Sequence, residues 1–183
     1  MPNRNGFFAA FLALAASPAM LFCVPARAQE SCKLALDAQM KTITTPTHVY
    51  STTTAAYTHN VPQNSEMIYT GGSDGTIFVM ARGKWIRSPL SPAEMVKQQE
   101  ENRRTNKVTC KFLRDEPVSG EVAAVYTIHE ESPDAKIDAT IWVSKSKGLP
   151  IKEDMDMDVG GGAVGKTHRT MRYEYTNVKP PLM

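Results

Sequence analysis

The chain has 183 residues, 42% of them hydrophobic, with 21 Lys and Arg against 19 Asp and Glu and a formal net charge of +2. That length supports one domain able to bury about two-thirds of its unfolded surface. A near-neutral chain with no block of Lys or Arg lacks the electrostatic footprint of nucleic-acid binding, so that function is set aside.

In chain order, the first feature is an export pattern. A short segment carrying Arg4 leads into an apolar run over residues 6–24, which contains Pro18, ends at Pro25 and is followed by Ala26-Arg27-Ala28. A cation, an apolar run and two small residues before a cut site are the three parts of a signal peptide. Cleavage is expected after Ala28, which assigns 1–28 to the signal, 29–183 to a single domain and the protein to the periplasm or the exterior. Pro18 breaks the run short of the ~20 residues that span a bilayer comfortably. Phe22 stands before Cys23 where a lipoprotein signal needs a small side chain, which argues against lipidation. Loss of Arg4 and Arg27 lowers the basic count to the acidic count of 19.

Without Cys23, Cys32 and Cys110 remain as an even pair in an oxidising compartment, and a disulfide between them is expected. Closing a loop of roughly eighty residues is worth about 4 kcal/mol in the chain-entropy model.

Residues 30–43 place Cys32, Leu36, Met40 and Ile43 at helical spacing with Ala35 beside them, a stripe suited to lying on a sheet. Strands are predicted over 47–58, 66–70, 76–82 and 84–87, separated by Gly71-Gly72, Asp74-Gly75 and Arg82-Gly83. Ser91-Pro92-Ala93-Glu94 then reads as a capping box with proline at the first helical position. This polar helix runs to about Asn106, with Glu100 and Arg104 one turn apart. Five further strands follow over 108–113, 121–130, 136–144, 149–159 and 166–178. Short turns between successive strands make them antiparallel neighbours, and the absence of βα alternation excludes a doubly wound parallel sheet.

Three motif-like strings fail on chemistry. Gly160 to Thr167 spells a phosphate-binding loop, but such a loop must follow a buried apolar strand and open a helix. Here Lys152 to Asp158 is highly acidic, and Thr170 to Tyr175 alternates like a strand, so no nucleotide is expected. Asp154, Asp156 and Asp158 resemble the start of a calcium loop, yet Val159 and Gly165 stand where that loop needs Gly and Glu. Alternation explains the acids, with Met155, Met157 and Val159 on the opposite face. His48, His59, His129 and His168 lie in separate elements without ligand spacing, no Gly-x-Ser-x-Gly elbow occurs, and no free thiol is left. No catalytic residue, metal or cofactor is assigned.

Of the ten methionines only Met1 and Met20 lie in the signal, and aromatic residues concentrate in the strands. Because methionine adapts to irregular apolar ligands, a Met- and aromatic-lined concave sheet is a reasonable receptor for a lipid or other hydrophobic ligand. Trp85, Trp142, Met155 and Met157 combine bulk or adaptability with strand positions and are the candidate ligand-binding residues. The competing reading is a structural or protein-interaction domain of the cell envelope with a filled core; a hydrolase comes third.

Ala139-Thr140-Ile141-Trp142-Val143-Ser144, Gly148-Leu149-Pro150-Ile151-Lys152 and the strand Arg169 to Tyr175, preceded by a signal, a short helix, long strands and a polar mid-chain helix, resemble the periplasmic lipoprotein carriers of the LolA/LppX-like group. The resemblance implies a mostly β (α+β) fold, a strongly curved antiparallel half-barrel covered by a few helices, and non-catalytic binding of acyl chains. It transfers no functional residue to this chain.

Overall fold

The computed structural model describes residues 26–55, 59–160 and 165–182, with side chains from Cys32 onward. The apolar run of the expected signal, the end of the strand expected over 47–58 and residues 161–164 of the glycine string lie outside these. Two helices and nine strands follow in chain order: α1 (Ala26–Thr44), β1 (Thr47–Ala55), β2 (Gln63–Tyr69), β3 (Ile77–Ala81), β4 (Lys84–Arg87), α2 (Pro92–Thr105), β5 (Lys107–Val118), β6 (Glu121–Glu131), β7 (Ala135–Ser144), β8 (Pro150–Val159) and β9 (Lys166–Glu174).

The strands form one antiparallel sheet in the order β4-β3-β2-β1-β9-β8-β7-β6-β5. Two runs of sequential hairpins make its halves, and they join where β1 pairs with β9, Val49 opposite Tyr173 and Thr53 opposite Arg169. Val79 on β3 and Val108 on β5 line the same cavity although seven strand spacings separate them in the sheet. Laid flat at about 4.8 Å per strand they would stand roughly 34 Å apart, so the sheet is strongly curved. The fold is thus mostly β, a curved antiparallel sheet with both helices on its concave face.

Each helix is fixed by sequence-local chemistry. Ala35 and Ala38, 0% and 1% exposed, bring α1 close against Ala124, Tyr126, Ile128, Ala139, Ile141 and Val143. Cys32 is disulfide-bonded to Cys110 of β5, with Cα atoms 5.6 Å apart, which ties the same helix to the sheet edge. Its last turn places Ile43 with Val49, Tyr69 and Ile77 in a second cluster. On α2 the capping box forms in both directions around Ser91 and Glu94. The only buried residue of α2 is Pro92. Arg104 pairs with Glu101 at 3.7 Å, not with Glu100 as the spacing suggested.

The largest boundary correction is β5, expected over 108–113 and found to run through Lys107–Val118. A register shift between Phe112 and Arg114 absorbs Leu113, after which Arg114, Asp115, Glu116 and Pro117 continue the ladder with β6. As an edge strand it is largely exposed and tolerates charges and a proline that a central strand would reject. β9 ends at Glu174, before the expected 178.

Candidate functional site

Between the concave face and the two helices lies a cavity of about 460 Å³. Its roof comes from α1 (Leu36, Met40, Ile43) and α2 (Met95, Gln99, Arg103), and its floor from β8 and β9 (Glu153, Met155, Arg169, Met171). Side-chain alternation selects these floor residues, since odd-numbered positions of β8 and β9 face the helices. Two shallower depressions, about 500 and 420 Å³, are lined by outer-face side chains such as Tyr50, Lys152 and Arg172, or His129, Asp138 and His168.

The floor carries one buried acid. Glu153 is 2% exposed, with Oε2 accepting from the Tyr173 hydroxyl at 2.8 Å and Oε1 from Gln39 Nε2 of α1 at 3.2 Å. Burial raises the pKa of its carboxyl, while donation from Tyr173 and Gln39 and the field of Arg169 act against that rise. The Tyr173 hydroxyl is pushed well above its ordinary range by burial and by the facing Glu153. Burial likewise takes Tyr69 to about 12. Arg169, diagonal to Glu153 in the ladder, donates from Nε to Thr53 Oγ1 at 3.1 Å. Arg103 of α2 donates to the Leu36 carbonyl of α1, which links the two roof helices, and burial lowers its pKa.

The structure separates the four candidate ligand residues. Met155 lines the cavity; Met157 lies further along the same face of β8, opposite Ile137 and Thr167. Trp142 is on the outer face, 9% exposed in a cluster with Ala123, Val125, Val118 and Ile151. Its Nε1 donates to Glu116 at 3.3 Å and Lys152 Nζ stands 4.5 Å from the ring centroid. Trp85 is also on the outer face, its ring edge-on to His48. Sequence reasoning missed Glu153, Arg169 and Tyr173. The signal was present for Glu153, which shares parity with Met155 and so had to face inward.

The glycine string joins β8 to β9. Val159 N–H bonds the Gly165 carbonyl at 3.2 Å, and β9 begins at Lys166, opposite Asp158. A Cβ at Gly165 would lie 1.8 Å from the Val159 carbonyl oxygen, so the hairpin itself requires glycine there. A strand follows the string, without the helix N-terminus a phosphate loop needs. Asp154 pairs with Lys152 at 2.7 Å and Asp156 with His168 at 2.9 Å, while His129 pairs with Asp138 at 2.7 Å. Among the described residues no three of His, Cys, Asp and Glu are grouped to hold a metal ion.

No protein-family model matches the chain, and no curated protein does. Solved structures similar to it include a LolA superfamily protein from Nitrosomonas europaea, at 10% identity over 79% of this chain and 90% of that one, with a TM-score of 0.29. LprF from Mycobacterium bovis is similar at 7% identity over 85% and 96%, TM-score 0.39. A domain named for outer membrane lipoprotein sorting, from Vibrio parahaemolyticus, is similar at 6% identity over 80% and 93%, TM-score 0.29. At such identities and scores the likenesses carry no functional weight, and the function is argued from the cavity.

Proposed function

We propose that the chain is an exported, non-catalytic protein that binds a lipid or other hydrophobic ligand between its curved sheet and its two helices. The observation that carries this reading is the cavity of about 460 Å³ walled by Leu36, Ile43, Val49, Met67, Met155 and Met171. Depressions of similar volume lie on the outer face, but this one is walled by apolar side chains from both the sheet and the helices. Small-ligand sites occupy ~300–1,000 Å³ and are mostly apolar with a few placed polar groups. The methionines suit the purpose, since an unbranched thioether reshapes around irregular chains.

Organic extraction and native mass spectrometry of the purified protein test this directly. A co-purifying lipid, or saturable binding of cis-parinaric acid by delipidated protein, is the expected result. Neither a bound lipid nor any probe binding would replace this reading with that of a filled envelope domain that works through a protein partner.

A further inference from the structure

The cavity floor contains a cation that its own neighbours leave incompletely used. Arg169 lies on β9 opposite Thr53 and Met155, within the cavity lining. A guanidinium has five N–H donors in a planar fork. Among the described residues the only hydrogen bond of Arg169 is from Nε to the neutral Thr53 hydroxyl, and it forms no ion pair. The obvious internal counter-ion, Glu153, accepts from Tyr173 and from Gln39 and feels Arg169 only as a nearby charge, with no hydrogen bond between them. Met155 and Met171, the other floor residues beside it, accept only weakly through sulfur.

A guanidinium drawn partly out of water is stabilised by an anion that takes two of its N–H groups at once, and carboxylate and phosphate have the matching shape. We propose that the ligand is an anionic amphiphile, an acyl chain carrying a carboxylate or phosphate head, and that Arg169 anchors the head while the methionine-lined part of the cavity takes the chain. This rests on the lipid-binding reading and narrows it to a ligand class. Glu153 fits the scheme, because an anion placed beside Arg169 favours the neutral form of the nearby acid and so links loading to proton uptake.

Displacement of cis-parinaric acid from delipidated wild-type protein tests the proposal without any variant. Palmitate and hexadecyl phosphate are expected to displace the probe at least about tenfold better than hexadecanol or methyl palmitate, while inorganic phosphate and acetate displace nothing, since each buried methylene of the chain adds to binding. Arg169→Gln should remove the preference for charged heads while hexadecanol still competes. Arg169→Lys, which keeps the charge without the fork, should restore part of it. Equal displacement by palmitate and hexadecanol overturns the anchor and leaves the lipid-binding reading standing. Displacement by inorganic phosphate alone overturns the amphiphile in favour of a simple anion site. Absence of binding by every chain-bearing probe overturns both readings.

Discussion

Truncating Trp142 to Ala distinguishes the two faces of the sheet. The ring is 9% exposed and packs on Ala123, Val125, Val118 and Ile151, so its removal takes away a large apolar surface and leaves a hole that the flanking strands cannot close. Such Trp→Ala changes cost about 3–5 kcal/mol. The polar contacts add little: Glu116 keeps Arg114 at 2.5 Å after Nε1 is lost, and Lys152 keeps Asp154. The cation–π contact of Lys152 contributes about 0.5–1 kcal/mol at a site of this exposure. A loss of about 3–5 kcal/mol is therefore expected in urea unfolding followed by circular dichroism, with cis-parinaric acid affinity unchanged under native conditions. Met155→Ala, on the cavity floor, should do the reverse, since part of the Met155 surface faces a void and has no protein partner to lose. A loss under ~1 kcal/mol for Trp142→Ala together with abolished probe binding would place the ligand on the outer face and refute the assignment of the site.

Three further outcomes are expected, two from the geometry and one from the export pattern of residues 1–28. Replacing Cys32 and Cys110 by Ser should lower stability by about 4 kcal/mol, because the bond closes a 78-residue separation that contains both β1–β4 and α2; a urea midpoint unchanged from that of the oxidised wild type would refute it, and the intact exported protein should begin at Gln29 and lack the two thiol hydrogens. Glu153, whose carboxyl is raised by burial, binds its proton more tightly folded than unfolded, so its contribution is fully present below the unfolded carboxylate value and is lost as pH rises through the folded one. Glu153→Gln should flatten that part of the stability–pH curve from about pH 4.5 upward, while Glu121 and Glu174, held low by Ser144 and Arg172, keep their opposite slope; an unaltered profile would mean that Glu153 is ionised at no cost in the fold.

The sequence made the elements legible where local chemistry is strong. Ser91 and Glu94 announce α2, the paired cysteines announce the tether, and strand boundaries at Lys84–Arg87 and Glu121–Glu131 follow β-branched and aromatic runs between glycine turns. Arg114-Asp115-Glu116 looks like a loop in sequence, and only the place of β5 at the sheet edge makes the charges tolerable in a strand. The bulk of Trp85 and Trp142 suits a ligand site, but which face of the sheet a ring occupies depends on pairing register. Trp142 opposes Lys152 across β7 and β8, which puts it on the face away from the helices. Arg169 shares parity with Met171 and Tyr173 and so belongs to the inner face, but its place beside Thr53 comes from the β1–β9 pairing that joins residues 116 apart.

The open centre of the molecule follows from how its two ends are packed. At one end Ala35 and Ala38 draw α1 onto β6 and β7, and the disulfide fixes it there; at the other, Ile43 joins Val49, Tyr69 and Ile77, with Met95 and Val96 of α2 packed alongside. These are separate clusters, and β8 and β9 lie between them in the sheet order. Met40 of α1 and Gln99 and Arg103 of α2 line the cavity from above, and Glu153, Met155, Arg169 and Met171 line it from β8 and β9. Alanines seat α1 at one end, Ile43 with Tyr69 and Ile77 fills the other, and the cavity is what the two clusters leave between them. Substitutions in the two clusters should therefore register as stability, and those over β8 and β9 as occupancy.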